Sequence, residues 1–179
     1  KGFLKGYETQ LKRAEERLGG SAVPIVVDAA SCTEGFHVMQ SKSSSEEFKA
    51  VQIVDVVKFA YEWILPHLTV THRLGSIALP PTCSSTHLGL NDALKGLAEA
   101  IADEAYVPLD WGCCAFAGDR GMLHPELNAS AAKREAAEIN SRHFDAYASL
   151  NRTCEIGIGR ATGKPYVHIL ELVEQATRP

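Results

Sequence analysis

Five cysteines, at positions 32, 83, 113, 114 and 154, are the residues of this chain best suited to chemistry. Cys83 is separated by 29 residues from the Cys113-Cys114 pair, and Cys154 follows after 39 more. Thiolates are soft ligands, and four of them at one place suit an iron–sulfur cluster or zinc. Four thiolates buried together without a cation would be prohibitively costly. The plain alternative is that each cysteine is a small buried hydrophobe, which is common for single positions. The count is odd and two cysteines are adjacent, so a disulfide framework fits poorly and a reducing compartment fits better. Cys83 lies just ahead of an expected helix start, where backbone N–H groups stabilise a thiolate. Arg120 and Arg152 are the cations nearest the cysteines in sequence and could offset negative charge.

The elements that must position these thiols read as alternating strands and helices. Tyr7–Leu18 has Leu11, Ala14 and Leu18 on one helical face and stops at Gly19-Gly20. Pro24–Val27 is an apolar run suited to a buried strand, with Cys32 in the loop after it. Residues 41–47 form a polar insert expected to be disordered. Val51–Leu65 reads as a helix closed by Pro66, with room for a short strand at its front. Ser76–Leu79 is a second strand, followed by Cys83 and a helix to about Ala102 capped by Ser85 or Thr86. Ala105–Val107 is a third strand, and residues 108–121 a Gly-rich loop carrying Cys113-Cys114. A helix follows from His124-Pro125 to about His143, then a strand over Asp145–Ser149 with Cys154 just beyond it. A last helix covers Tyr166–Ala176. Each cysteine follows a strand, which places all five on the carboxyl edge where open α/β sheets bind ligands. The four spaced sulfurs are expected within roughly 4–7 Å of one another, as thiolates round one cluster would be.

A length of 179 residues is enough to bury roughly 70% of the unfolded surface without metal or disulfides. Hydrophobic content of 45% and charged content of 22% are those of a globular chain rather than a disordered one. A net charge of −4 argues against a general nucleic-acid or anionic-membrane binder. No apolar run approaches the length of a transmembrane helix. The chain opens Lys1-Gly2-Phe3-Leu4-Lys5, without Met or a signal-peptide core, as a piece of a longer protein would.

Two stretches match each other at an offset of 122 residues. Ile25–Gly35 is a strand, a turn and Ser-Cys-x-x-Gly, and Tyr147–Gly157 is a strand, a turn and Thr-Cys-x-x-Gly. The same offset carries the Cys113-Cys114 pair to just before residue 1. The reading is an α/β fold of two pseudo-repeated halves with short parallel sheets flanked by helices, the first half truncated. Residues 1–70 are the tail of a first cysteine-rich repeat and residues 71–179 a complete second one.

The cysteine pattern resembles the CCG-type cysteine-rich domain of heterodisulfide reductase and of the iron–sulfur component of glycolate oxidase. It is closer to the C-terminal part of bacterial FAD-linked, iron–sulfur D-lactate dehydrogenases and their D-2-hydroxyglutarate dehydrogenase relatives. The stretches that carry the resemblance are Leu79–Ser85, Gly112–Gly121, His124–Leu127, Asn151–Gly157 and Ala176–Pro179. Two departures stand out: Ala115 replaces the glycine usual after the paired cysteines, and Gly157 replaces a final cysteine. The resemblance implies a [4Fe–4S] cluster on Cys83, Cys113, Cys114 and Cys154, with Cys32 able to replace one of the adjacent pair. It implies FAD and ferredoxin-like domains upstream, transfer of electrons from flavin towards an acceptor such as a quinone, and no catalytic acid or base in this piece. It also implies a cytoplasmic protein, peripheral at the inner face of the bacterial membrane. Two other readings stay open: a thiol/disulfide redox domain, and a zinc-stapled or metal-free scaffold.

The remaining candidates have plainer readings. Gly112, Gly118 and Gly121 spell no phosphate loop and suit tight backbone packing. Asp119-Arg120 suits an internal ion pair, and His87 and His124 suit capping or surface positions. Ser84-Ser85-Thr86 is a helix cap rather than a nucleophile turn. Trp63 suits the core or a domain contact, and Trp111 is placed to shield the cysteine pair or to pack in the core.

Overall fold

The computed structural model describes residues 23–179, together with positions 6, 9, 10, 12, 13, 16 and 17. The helix expected over Tyr7–Leu18 lies largely outside the described residues. From residue 23 on, strands β1 (Ile25–Val27), β2 (Ile53–Asp55), β3 (Leu74–Ala78), β4 (Ala102–Tyr106), β5 (Ala146–Ser149) and β6 (Val167–His168) alternate with helices. The helices are α1 (Ala30–Lys42), α2 (Glu46–Ala50), α3 (Val56–Phe59), α4 (Cys83–His87), α5 (Asn91–Ile101), α6 (Arg120–Leu123), α7 (Pro125–Ala131), α8 (Lys133–Asn140), α9 (Arg152–Thr162) and α10 (Ile169–Thr177). After α3 the chain continues in a wider π turn over Ala60–Ile64 and a 3-10 turn over Leu65–His67.

The fold is α/β, with two small parallel sheets. One pairs β1 with β2, and the other runs β4-β3-β5-β6. All pairings are parallel, so every carboxyl strand end within a sheet points the same way. Alternation along the strands puts successive side chains on opposite faces. Ile77 and Ala148 enter one cluster with Leu94, Leu97, Ile101, Leu172 and Val173, while Ala78 and Tyr147 enter another with Phe116, Ile139, Phe144 and Ile158. The four-stranded sheet is thus covered on both faces, as parallel sheets require. Ala30, Val57 and Ala60 belong to the first of these clusters, so residues before and after 70 share a core.

The two matching stretches take the same local course. β1 leads into α1, whose third residue is Cys32, and β5 leads into α9, whose third residue is Cys154. Each crossover returns to a short parallel strand whose last residue caps the next helix. Asp55 accepts the Val57 N–H at 2.9 Å, and His168 Nδ1 accepts the Leu170 N–H at 3.2 Å.

Several expected boundaries move. Cys32 and Cys154 lie in the first turns of helices, not in loops, and α9 is a helix absent from the sequence-based expectation. Its two glycines, Gly157 and Gly159, weaken its helical pattern, and packing against α8 compensates. The polar insert 41–47 is ordered: it ends α1 and starts α2, where Ser45 Oγ accepts the Phe48 N–H at 3.2 Å. The helix expected from Ser85 to Ala102 is two helices separated at Gly89, whose φ is +67°. Its cap is Thr82: Thr82 Oγ1 accepts the Ser85 N–H at 3.1 Å and Ser85 Oγ accepts the Thr82 N–H at 2.9 Å.

Candidate functional site

The carboxyl ends of β3, β4 and β5 feed three segments that meet. Cys83 opens α4, Cys113 and Cys114 lie in the segment between β4 and α6, and Cys154 lies in the first turn of α9. Cys114 and Cys154 are buried, with their sulfurs 3.1 Å apart. Cys83 and Cys113 are exposed, and Cys83 adds to the upward shift of the Cys113 thiol. The four thiols therefore lie at two depths, one buried pair in contact and two exposed, and they influence one another electrostatically. The 3.1 Å contact is closer than the spacing expected from a cluster-binding set.

The loop before α6 is shaped to aim backbone donors at sulfur. Ala115, Ala117 and Gly118 have φ of +53°, +42° and +73°. Left-handed residues alternating with ordinary ones turn successive N–H groups to one side and make an anion-binding concavity. The Ala115 N–H donates to Cys113 Sγ at 3.4 Å, and the Phe116 N–H donates to Cys114. Asn128, 3% exposed, donates to the Cys114 carbonyl at 2.8 Å and pins the loop to α7. Gly157 leaves the space for this: a Cβ there would stand 2.9 Å from Asn128 Nδ2 and 3.3 Å from Cys114 Cβ.

Charge follows from these contacts. The contact with Cys154, with the Phe116 N–H, draws the Cys114 thiol down to about 7 despite burial. The same contact, and then burial, pushes Cys154 up. Burial and the neighbouring thiols push Cys113 up, against the Ala115 N–H. Among the described residues no arginine contributes to these shifts. Arg152 turns away to Glu155 at 2.8 Å, and Arg160 covers the Phe116 ring at 5.6 Å.

Cys32 stands apart. It is exposed in the first turn of α1, and the interactions that tie the other four thiols together do not extend to it. Its neighbour Ser31 nevertheless reaches the site's scaffold, because both its N–H and its hydroxyl donate to Asn151 Oδ1 at 3.2 Å. Asn151 Nδ2 in turn points to Thr82 Oγ1 at 3.5 Å. One amide thus joins the strand ends that precede Cys32, Cys83 and Cys154. Its position ahead of α9 reads in sequence as a helix cap, but its side chain makes no capping hydrogen bond.

Glu135 is a further member that sequence reasoning missed. It is 2% exposed, and one carboxylate oxygen has no partner among the described residues. Burial pushes its carboxyl up to about 7, with Cys114 adding to the rise and the Gly112 N–H opposing it. Its setting, Lys133-Arg134-Glu135, reads in sequence as solvated helix. His87 pairs with Glu34 at 2.7 Å and His124 with Glu126 at 3.2 Å, both on the surface. Trp63 is 65% exposed and stacks on Phe59 instead of entering the core.

The donor set fits a soft metal centre: four thiols from three strand ends, with backbone N–H groups turned towards them. Among the described residues no three His, Cys, Asp or Glu side chains stand as a ready-made single-ion site. The Cys114–Cys154 contact is shorter than the edge of about 3.8 Å in a tetrahedral zinc–thiolate site, so that pair must part to share a metal. No protein-family model matches the chain, and no curated protein matches it.

Proposed function

We propose that this chain is an iron–sulfur electron-transfer domain, of the kind that ends FAD-linked D-2-hydroxy-acid dehydrogenases of the D-lactate type. The observation that carries the reading is the convergence of Cys83, Cys113, Cys114 and Cys154 from the ends of β3, β4 and β5. These four side chains would hold the cluster, here taken as [4Fe–4S], and Cys32 would not. When bound, such a cluster supplies one-electron transfer. The chain's own groups do the rest. The Ala115 and Phe116 N–H groups offset thiolate charge, and Phe116, Ile158 and Tyr166 keep water from the inner sulfurs. Hydride removal from a hydroxy acid needs a flavin or nicotinamide, because no side chain accepts a hydride. FAD would accordingly sit on an upstream domain beside a ferredoxin-like one, with a quinone or similar acceptor beyond. Among the described residues no helix is long and apolar enough to cross a membrane. A cytoplasmic protein, peripheral at the membrane face, belongs to this proposal.

Anaerobic reconstitution with iron and sulfide tests the reading. The expected result is about four irons and four sulfides per chain, with visible absorbance that dithionite bleaches. Cys83→Ser and Cys154→Ser are expected to lose most of the bound iron, and Cys32→Ser to keep it. Equal iron uptake by all three variants would overturn the ligand assignment.

A further inference from the structure

The four thiols differ in depth and pairing. Cys114 and Cys154 lie inside, 5% exposed each, in the apolar cluster of Phe116, Ile158 and Tyr166. Their sulfurs stand 3.1 Å apart, only about 1 Å beyond a disulfide bond length. The loop that carries Cys114 is held by Asn128 on its carbonyl, and Cys154 is held in α9, so the fold keeps the two sulfurs together. A bond between the adjacent Cys113 and Cys114 would instead close a small ring across one peptide unit, against its planarity.

We propose that Cys114 and Cys154 are a peroxide-responsive pair that closes into a disulfide when the four thiols hold no metal. Either sulfur of the pair can attack first with the same balance of atoms; Cys114 serves as the first case. It takes the near oxygen of hydrogen peroxide, the O–O bond breaks, and the thiol becomes a sulfenic acid with release of one water. The Cys154 sulfur then attacks the Cys114 sulfur, and the hydroxyl leaves as a second water with the Cys154 proton. Two thiols lose two electrons in all, and the peroxide gains them. The closed bond withdraws two of the four sulfurs from metal binding and ties the Phe116 loop to α9. A thiol reductant reverses it.

The inference does not depend on which metal the site takes. The test treats the chelator-stripped full chain with one equivalent of hydrogen peroxide, alkylates it in acidic denaturant, and maps the linkages by mass spectrometry. The expected product links Cys114 to Cys154, in at least about tenfold excess over any other linkage, with Cys32, Cys83 and Cys113 alkylated. A dominant Cys83–Cys113 link, or full alkylation of Cys114 and Cys154, overturns the proposal. In Cys154→Ser and in Cys114→Ser a sulfenic acid on the remaining thiol of the pair is expected to persist and be trapped by dimedone. Dimedone on Cys83 or Cys113 alone in both variants would overturn the proposal.

Discussion

Asn151 and Ser31, 120 residues apart in the chain, are joined by two hydrogen bonds of 3.2 Å at the meeting point of the two sheets. Asn151 is 2% exposed, and its other amide end faces Thr82. A buried amide so placed sets the relative position of the helices that begin with Ala30 and Arg152, and hence of the cysteines at their third residues.

Replacing Asn151 by alanine therefore leaves the Ser31 hydroxyl and the buried Thr82 without this partner. The expected cost is roughly 1–3 kcal/mol, read from urea denaturation of the metal-free chain. A loss below about 0.5 kcal/mol would mean that packing alone aligns the two sheets.

Ala115 bears a backbone conformation that glycine adopts freely and other residues do not. Ala115→Gly is expected to raise stability by up to about 1 kcal/mol, since the left-handed cost of about 1–2 kcal/mol exceeds the added freedom of the unfolded glycine. Ala115→Val is expected to lower it by more than about 1 kcal/mol, because a β-branched side chain tolerates this region worst. Thermal melts of the three proteins check the order Gly, Ala, Val.

Glu135 makes stability depend on pH. Its folded-state carboxyl is held up at about 7 against an ordinary 4.5, so the folded chain binds this proton more tightly than the unfolded one. The contribution is complete below the ordinary value and is lost as pH rises through the folded value. Relative to Glu135→Gln, the wild-type chain is expected to lose roughly 2–3 kcal/mol between about pH 5 and about pH 8. Parallel pH dependence of the two proteins would show that Glu135 stays ionised in the fold.

Much of this site was legible from local pattern. Short apolar runs closed by Asp28 and Pro80, and the run Asp145–Ser149, marked strands β1, β3 and β5, and a cysteine after each strand placed the thiols at carboxyl strand ends. The match of Ser31-Cys32 to Thr153-Cys154 anticipated a cysteine at the same place after each strand, though in a loop and not in the first turn of a helix. What escaped notice lacked a local signature. The first turn of α9 looked like loop because Gly157 and Gly159 dilute its periodicity, yet Gly157 is a position where the Cys114 loop approaches closely.

Strand periodicity and side-chain type are local properties, so the order of residues alone showed which groups could carry chemistry and that each follows a strand; the expected single edge for all five fails, because β1, ahead of Cys32, belongs to a separate sheet. How the thiols divide was left to long-range packing. Residues 113 and 114 are adjacent, yet one is exposed at the surface and the other meets Cys154 inside. That division follows from the left-handed turn at Ala115 and from packing against Asn128 and Gly157, contacts between segments far apart in the chain. The same holds for Asn151 and Glu135. Their side chains are ordinary in type, and only burial beside distant partners makes one a brace between sheets and the other a carboxyl that holds its proton.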